Sequence, residues 1–416
     1  MKYTSIVRGI VTVAALLATH LALAGDSAPT FQTYTGIQDS GAYYEIAMPL
    51  AEEWNGGLLI FAHGYVEADE PLEIPSDQYD FGNTSLPQVL TDYGYAFATT
   101  SYSVNGLAVK EGLDDVRDLL DIFAEQFGAP DPVYIAGVSM GGLVATLAVE
   151  QYPEEFDGGI CACGPIGDFN VQTSWYGDFR VVFDYFFRDL LPGDANNVPE
   201  ELFADWENVY KRTVRPRVFR LRNIGKLKQL VKVTGIPIDP DRRLGSLEDS
   251  IQEVLYGHVR STADGIEKLG GVTFENEEKV YEGSKDDAKL NAQVERFDAQ
   301  TLALAEVSLH YQTSGNLDVP LVTMHTTLDP QVPYKHINLY RTKTILRGNP
   351  AEQMNLRVER YGHCNFTERE ALTALALLIA RVEGPGAVLP IALDGINTDK
   401  DASVELTFDK SGNLVK

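Results

Sequence analysis

Cysteine is nearly absent: the 416-residue chain has three, Cys161, Cys163 and Cys364. An odd number allows one internal disulfide at most and leaves a thiol over. Cys161 and Cys163 are too close for the usual paired-cysteine zinc spacing, and no histidine lies near them, so no metal site is read. Basic residues are also short, with 34 Lys and Arg against 60 Asp and Glu and a formal net charge of −26. Such a surface repels phosphate backbones, which excludes nucleic acid as the expected partner. Acidic residues in turn are missing between Glu207 and Asp239, where Lys211, Arg212, Arg215, Arg217, Arg220, Arg222, Lys226, Lys228 and Lys232 fall. That stretch reads as a solvated helix face or as a surface for an anionic substrate or lipid headgroups. Leu221, Ile224, Leu227 and Val231 recur at helical spacing and favour the solvated face. There is no internal repeat and no low-complexity segment.

The first 24 residues read as a secretory signal peptide. Lys2 and Arg8 make a positive start, an apolar core follows, and Ala22 and Ala24 place small residues before a cut ahead of Gly25. The apolar run is short of the ~20 residues of a membrane span and is interrupted by Thr19 and His20. The expectation is an exported protein, secreted or periplasmic, with no membrane span after cleavage. Losing Lys2 and Arg8 takes the formal charge from −26 to −28.

From about residue 56, short apolar runs alternate with helical patterns. "GGLLIFAHG" is a short fully apolar run, the signature of a strand covered on both faces, "YAFATTSYS" is a second, and "VYIAGV", "GGICACG", "PLVTMHT" and "NLRVERYG" follow as strands. Strands separated by helices predict an α/β fold, a mostly parallel sheet with helices on both sides. The alternation stops between about 168 and 315, where helical patterns such as 199–211 and 286–307 appear without a strand series. That length predicts a helical insertion rather than a loop. The expected division is a signal over 1–24, core over 25–167, insertion over 168–315, core again over 316–383 with a helix near 366–383, and a tail over 384–416. The tail carries a hairpin around Ser411-Gly412-Asn413.

Within this frame, "VYIAGVSMGGLVATLAVEQYP" (133–153) runs from strand into helix through Gly137-Val138-Ser139-Met140-Gly141. A serine hydroxyl attacks a carbonyl only when exposed, beside a base and facing donors for the oxyanion. A sharp strand-to-helix turn exposes it. The turn crowds its neighbours, so glycine is needed two residues before and two after, and the helix starting at Met140 turns a free amide toward the developing charge.

This motif in this context resembles the nucleophile elbow of the α/β-hydrolase superfamily, and the resemblance covers roughly 55–167 and 318–383. It implies a second oxyanion donor after an earlier strand. His63-Gly64 stands there, which makes the amide of Tyr65 the partner of that of Met140 and His63 a loop-shaping residue. It implies an acid after the next-to-last strand, Asp329 in "HTTLDPQVP", and a base after the last, His363 in Tyr-Gly-His-Cys. Their order along the chain, Ser, Asp, His, is the superfamily's. Cys364, beside the expected base, is open to a bond with Cys163 or Cys161, or to remaining a buried thiol. Tannase and feruloyl esterase families tie these loops by a disulfide, but here Ser139 has Val138 and Met140 as neighbours, not cysteine. The implied activity is a cofactor-free serine esterase acting on a small or oligomeric ester. A serine peptidase resembling prolyl aminopeptidase or prolyl oligopeptidase, and a non-catalytic binding protein on the same scaffold, are the other readings. The insertion's aromatic stretch "WYGDFRVVFDYFF" is expected to form the insertion's own core, or else an apolar acyl or aryl pocket.

Overall fold

The computed structural model describes residues 31–50, 54–81, 84–384 and 387. The expected signal peptide and the expected hairpin near residue 412 lie outside them. An eight-stranded sheet runs in the order β1-β2-β4-β3-β5-β6-β7-β8. Its strands are β1 Phe31–Ile37, β2 Tyr43–Pro49, β3 Leu58–Ala62, β4 Ala96–Thr100, β5 Val133–Val138, β6 Gly158–Ala162, β7 Leu321–Leu328 and β8 Gln353–Tyr361. The pairs β1·β2 and β2·β4 are antiparallel and the rest are parallel. This is the α/β-hydrolase fold.

Helices of seven or more residues are labelled α1 Leu86–Asp92, α2 Val109–Phe127, α3 Met140–Gln151, α4 Phe169–Phe186, α5 Ile224–Thr234, α6 Arg243–Lys268, α7 Asp287–Gln293, α8 Thr301–His310, α9 Lys335–Arg347 and α10 Glu368–Val382. The central strands are buried from end to end because helices cover both faces, as parallel sheets require. Leu58, Ile60 and Ala62 point to α2, α3 and α9. Leu59 and Phe61, one residue out of phase, point to α1 and α10. In α2, Leu113, Val116, Leu119 and Phe123 fall on one face and are buried, while α3 is buried nearly all round.

No strand lies between β6 and β7. The insertion has its own apolar core, in which Phe179, Val182, Phe183 and Phe186 of α4 pack with Trp206, Tyr210, Val254 and Leu255. The pattern over 286–307 is not one helix but two, α7 and α8. The chain between them is extended because the Asn276 side chain accepts from Phe297 N (2.8 Å) and donates to Glu295 O (2.9 Å). The basic stretch also departs from its pattern. Leu221 and Ile224 are exposed, while Leu227 is buried as expected, with Leu230 beside it and Val231 partly buried. The nine cations are solvent-facing, and Arg217, Arg222, Lys226 and Lys289 edge an open cleft. Among the described residues, no helix is long and apolar enough to cross a membrane.

Candidate active site

Ser139 sits between β5 and α3 at φ 51° and ψ −120°, a region that L-residues occupy only when their surroundings enforce it. The enforcement is steric and hydrogen-bonded. Ser139 N donates to Ala162 O at 2.8 Å. A Cβ on Gly137 would lie 2.0 Å from Gly141 O, and one on Gly141 would lie 2.0 Å from Ala62 O. The turn is therefore so tight that α3 rests directly on β3 and β5.

Three loops at the carboxyl ends of the strands meet here. Ser139 Oγ and His363 Nε2 are 2.8 Å apart, and His363 Nδ1 donates to Asp329 Oδ2 at 2.8 Å. Asp329 is fully buried, and its Oδ1 accepts from Gln331 N and Val332 N, both at 2.9 Å. The structure thus brings Ser139, Asp329 and His363 into one hydrogen-bonded row. Residues 107–217 match the family described as serine aminopeptidase, S33, on a sheet and elbow of the expected kind. The chain belongs to the α/β-hydrolase superfamily. It is a hydrolase of the serine type.

The hydrolase is 21% identical to an o-phthalyl amidase of Xanthobacter agilis, over 85% of this chain and 88% of that protein. Among solved structures it superposes on the Pyrococcus furiosus esterase Pf2001 with a TM-score of 0.44 and 10% identity, covering 85% of this chain and 91% of that one. It also superposes on the Pyrococcus horikoshii acylaminoacyl peptidase with a TM-score of 0.44 and 10% identity, covering 92% of this chain. This hydrolase spans 44% of the peptidase's length.

Charge in the hydrolase's row is set by burial and by partners. Burial opposes ionisation of Asp329, but His363 and His325 outweigh it and hold its carboxyl below the usual range. Burial likewise disfavours the His363 cation. The Asp329 carboxylate, by field and hydrogen bond, and then Glu253 overcome that and raise the imidazole above its ordinary value. His325 was not singled out from sequence as a site residue. It is buried on β7, 3.5 Å from Asp329 Oδ2, and its Nε2 donates to Val332 O at 2.8 Å. Glu253, from the insertion's α6, accepts from Gln331 Nε2 at 3.3 Å. Neither has a local sequence signal, because each is placed by tertiary packing alone.

The other expected residues lie close by. His63 is buried, stacks on Tyr102 at 3.8 Å, and donates from Nδ1 to Gly64 O at 2.6 Å. Burial lowers its basicity. The position a Cβ would take on Gly64 is 3.3 Å from Ser139 Cβ, so the next residue, Tyr65, follows beside the serine. Met140 opens α3, where an amide has no intrahelical acceptor. Cys163 and Cys364 form a disulfide with Cα atoms 5.4 Å apart, while Cys161 is a buried free thiol. The donor atoms of Cys163, His363 and Cys364 cluster within 4.8 Å, but sulfurs bonded to each other offer no thiolate to a cation.

Two cavities meet at Ser139. An open cleft of about 890 Å³ includes Gly64, Gln78, His363 and Phe366. A smaller chamber of about 140 Å³ lies under the insertion, bounded by Tyr65, Met140, Phe169, Tyr176 and Tyr256. In the aromatic stretch, Tyr176 walls the chamber, and Phe179 and Phe183 pack in the insertion's core.

Proposed function

We propose that this hydrolase cleaves carboxylic esters through an acyl-enzyme intermediate. The observation that carries the reading is the row Ser139 Oγ–His363 Nε2 and His363 Nδ1–Asp329 Oδ2, each at 2.8 Å. His363 takes the proton as Ser139 Oγ bonds to the acyl carbon, and the oxyanion is held by the amides of Met140 and Tyr65. Collapse breaks the bond to the leaving alcohol, which takes the proton from His363. Water, deprotonated by the same imidazole, then releases the acid. Asp329 holds the imidazole in the tautomer that leaves Nε2 free to accept. Every step uses side chains and amides of the chain, and the mechanism calls on no cofactor.

The chamber suits a small acyl or aryl group, since a void of about 150 Å³ accepts benzene, and the open cleft suits the leaving group. Amide cleavage is the second reading, favoured by the similarity along most of the chain to an o-phthalyl amidase. Export from the cytoplasm is also proposed, supported by the pattern of residues 1–24 and by the Cys163–Cys364 disulfide, a bond typical of oxidising compartments.

The test is hydrolysis of matched p-nitrophenyl acyl esters and acyl p-nitroanilides by the wild type and by Ser139→Ala. Ester turnover that falls by about 10⁵-fold or more in the variant supports the reading. Preferential cleavage of the anilides replaces it by the amidase, and silence on both series leaves a narrow specificity or a binding protein.

A further inference from the structure

Where the two cavities meet, one wall is polar and only partly hydrogen-bonded. Tyr65 borders both cavities, Glu67 the open cleft, and Arg260 of α6 the inner chamber. Tyr65 Oη, Arg260 Nε and Glu67 Oε2 are all buried without a hydrogen-bond partner. Arg260 Nε and Glu67 Oε2 form an ion pair at 3.2 Å without hydrogen-bond alignment, so of these three only the Tyr65 hydroxyl lacks any polar partner. The guanidinium spends its one hydrogen bond on Asp69 Oδ1 at 3.2 Å and lies against the Phe203 ring at 4.4 Å. These groups are neighbours electrically as well, since Asp264, Glu67 and Arg260 all act on the Tyr65 hydroxyl.

Native proteins rarely leave one buried donor unpaired. An unpaired Tyr65 hydroxyl beside an ion pair whose N–H is not aligned on its carboxylate is an arrangement a ligand oxygen completes. Charge narrows the ligand. Arg260 and Lys268 face Glu67, Asp69 and Asp264, and Lys268 already pairs with Asp264 at 3.4 Å. The wall is therefore not a cationic trap for any strong anion. Burial raises the Glu67 carboxyl to about 7, which lets it donate as well as accept.

We propose that Tyr65 Oη and Arg260 Nε bind an oxygen acceptor carried by the acyl group beyond the scissile carbonyl. The preferred substrates are acyl groups with a second carbonyl or carboxylate, above plain alkanoyl groups of the same length. This rests on the acyl-enzyme reading given above. The oxygen would orient the acyl chain in the chamber so that the scissile carbonyl presents to Ser139 and the two amides. A plain alkanoyl chain leaves the wall unpaired and is held less well.

The experiment compares methyl valerate, methyl levulinate and monomethyl succinate, three acyl groups of nearly one shape, by proton release in the wild type, Arg260→Gln, Tyr65→Phe and Ser139→Ala. Expected is a wild-type kcat/KM for levulinate or succinate at least about tenfold above valerate, with that ratio falling toward one in Arg260→Gln and Tyr65→Phe. The levulinate and succinate arms separate a carbonyl ligand from a carboxylate. A wild-type ratio of one or less, or a ratio unchanged in both variants, overturns the anchor and leaves the hydrolase intact. Turnover that survives in Ser139→Ala overturns the acyl-enzyme reading instead. In that case, and where no ester is cleaved, calorimetric binding of free levulinate, succinate and valerate to Ser139→Ala decides the anchor. Tighter binding of either oxygenated acid that is lost on adding Arg260→Gln sustains it, and equal binding of all three overturns it.

Discussion

At the scale of single residues, the site depends on how one imidazole is tuned. His363 must be neutral to accept the serine proton, and Asp329 and Glu253 both favour its cation. The free enzyme's kcat/KM should therefore rise with pH through a midpoint above the ordinary histidine value of about 6.5. Replacing Glu253 by Gln removes a negative charge that stabilises the cation. The imidazole's pKa falls, and the acid limb moves to lower pH with little change on the plateau. A pH–rate profile of Glu253→Gln with an unmoved acid limb would show that Glu253 supports the loop only through Gln331. Ser139, Asp329 and His363 were legible because each follows a recognisable strand in a fixed order. Glu253, His325 and Arg260 were not, because a residue on a long helix or inside a strand has no local mark of what it faces across the fold.

At the scale of elements, the insertion and the loops it covers are built together. Trp175 Nε1 of α4 donates to Pro330 O and Gln172 Nε2 to Gln331 O, both at 2.9 Å, which clamps the loop carrying Asp329. On α6, Ser250 Oγ meets Tyr361 Oη at 2.8 Å, two residues before His363. The far side of the histidine loop is held by α10. There Thr367 accepts from Glu370 N, Glu370 accepts from Thr367 N, and Arg360 pairs with Glu370 at 2.7 Å. Thr367→Ala breaks this capping box and should cost about 1 kcal/mol in thermal or denaturant unfolding. Because the cap ends the loop that positions His363, kcat should fall as well, and a loss of stability with kcat unchanged would refute that coupling. The strands from β3 on and the helices between them were readable from periodicity; β1, β2 and the order of strands in the sheet were not. The break between α7 and α8 was not, because it is made by Asn276, a side chain outside both helices.

At the scale of the whole molecule, the core is interrupted by the insertion, and the chain must return to the sheet before Asp329 and His363 can approach Ser139. Cys163 and Cys364 lie 201 residues apart in sequence, one at the end of β6 and the other beside the base, and their bond closes the entire insertion into a loop. The sequence left the partner of Cys364 open between Cys163 and Cys161, because two cysteines separated by one residue in a continuous strand share a face; β6 instead ends at Ala162, and Cys163 turns away beyond it at φ 50°. Cys161 faces the α3 side of the sheet and Cys163 the α10 side, where Cys364 lies. A loop this long strongly restricts the unfolded chain, so Cys163→Ser with Cys364→Ser should destabilise by on the order of 2–5 kcal/mol. The loss belongs largely to the unfolded state, so the folded site should still assemble at low temperature. The double variant, or the reduced wild type, is thus expected to keep measurable turnover near 10 °C and to lose it at a lower temperature than the oxidised enzyme. An unchanged melting temperature after verified reduction would mean that the hydrogen bonds from α4, α6 and α10 hold the histidine loop without the disulfide.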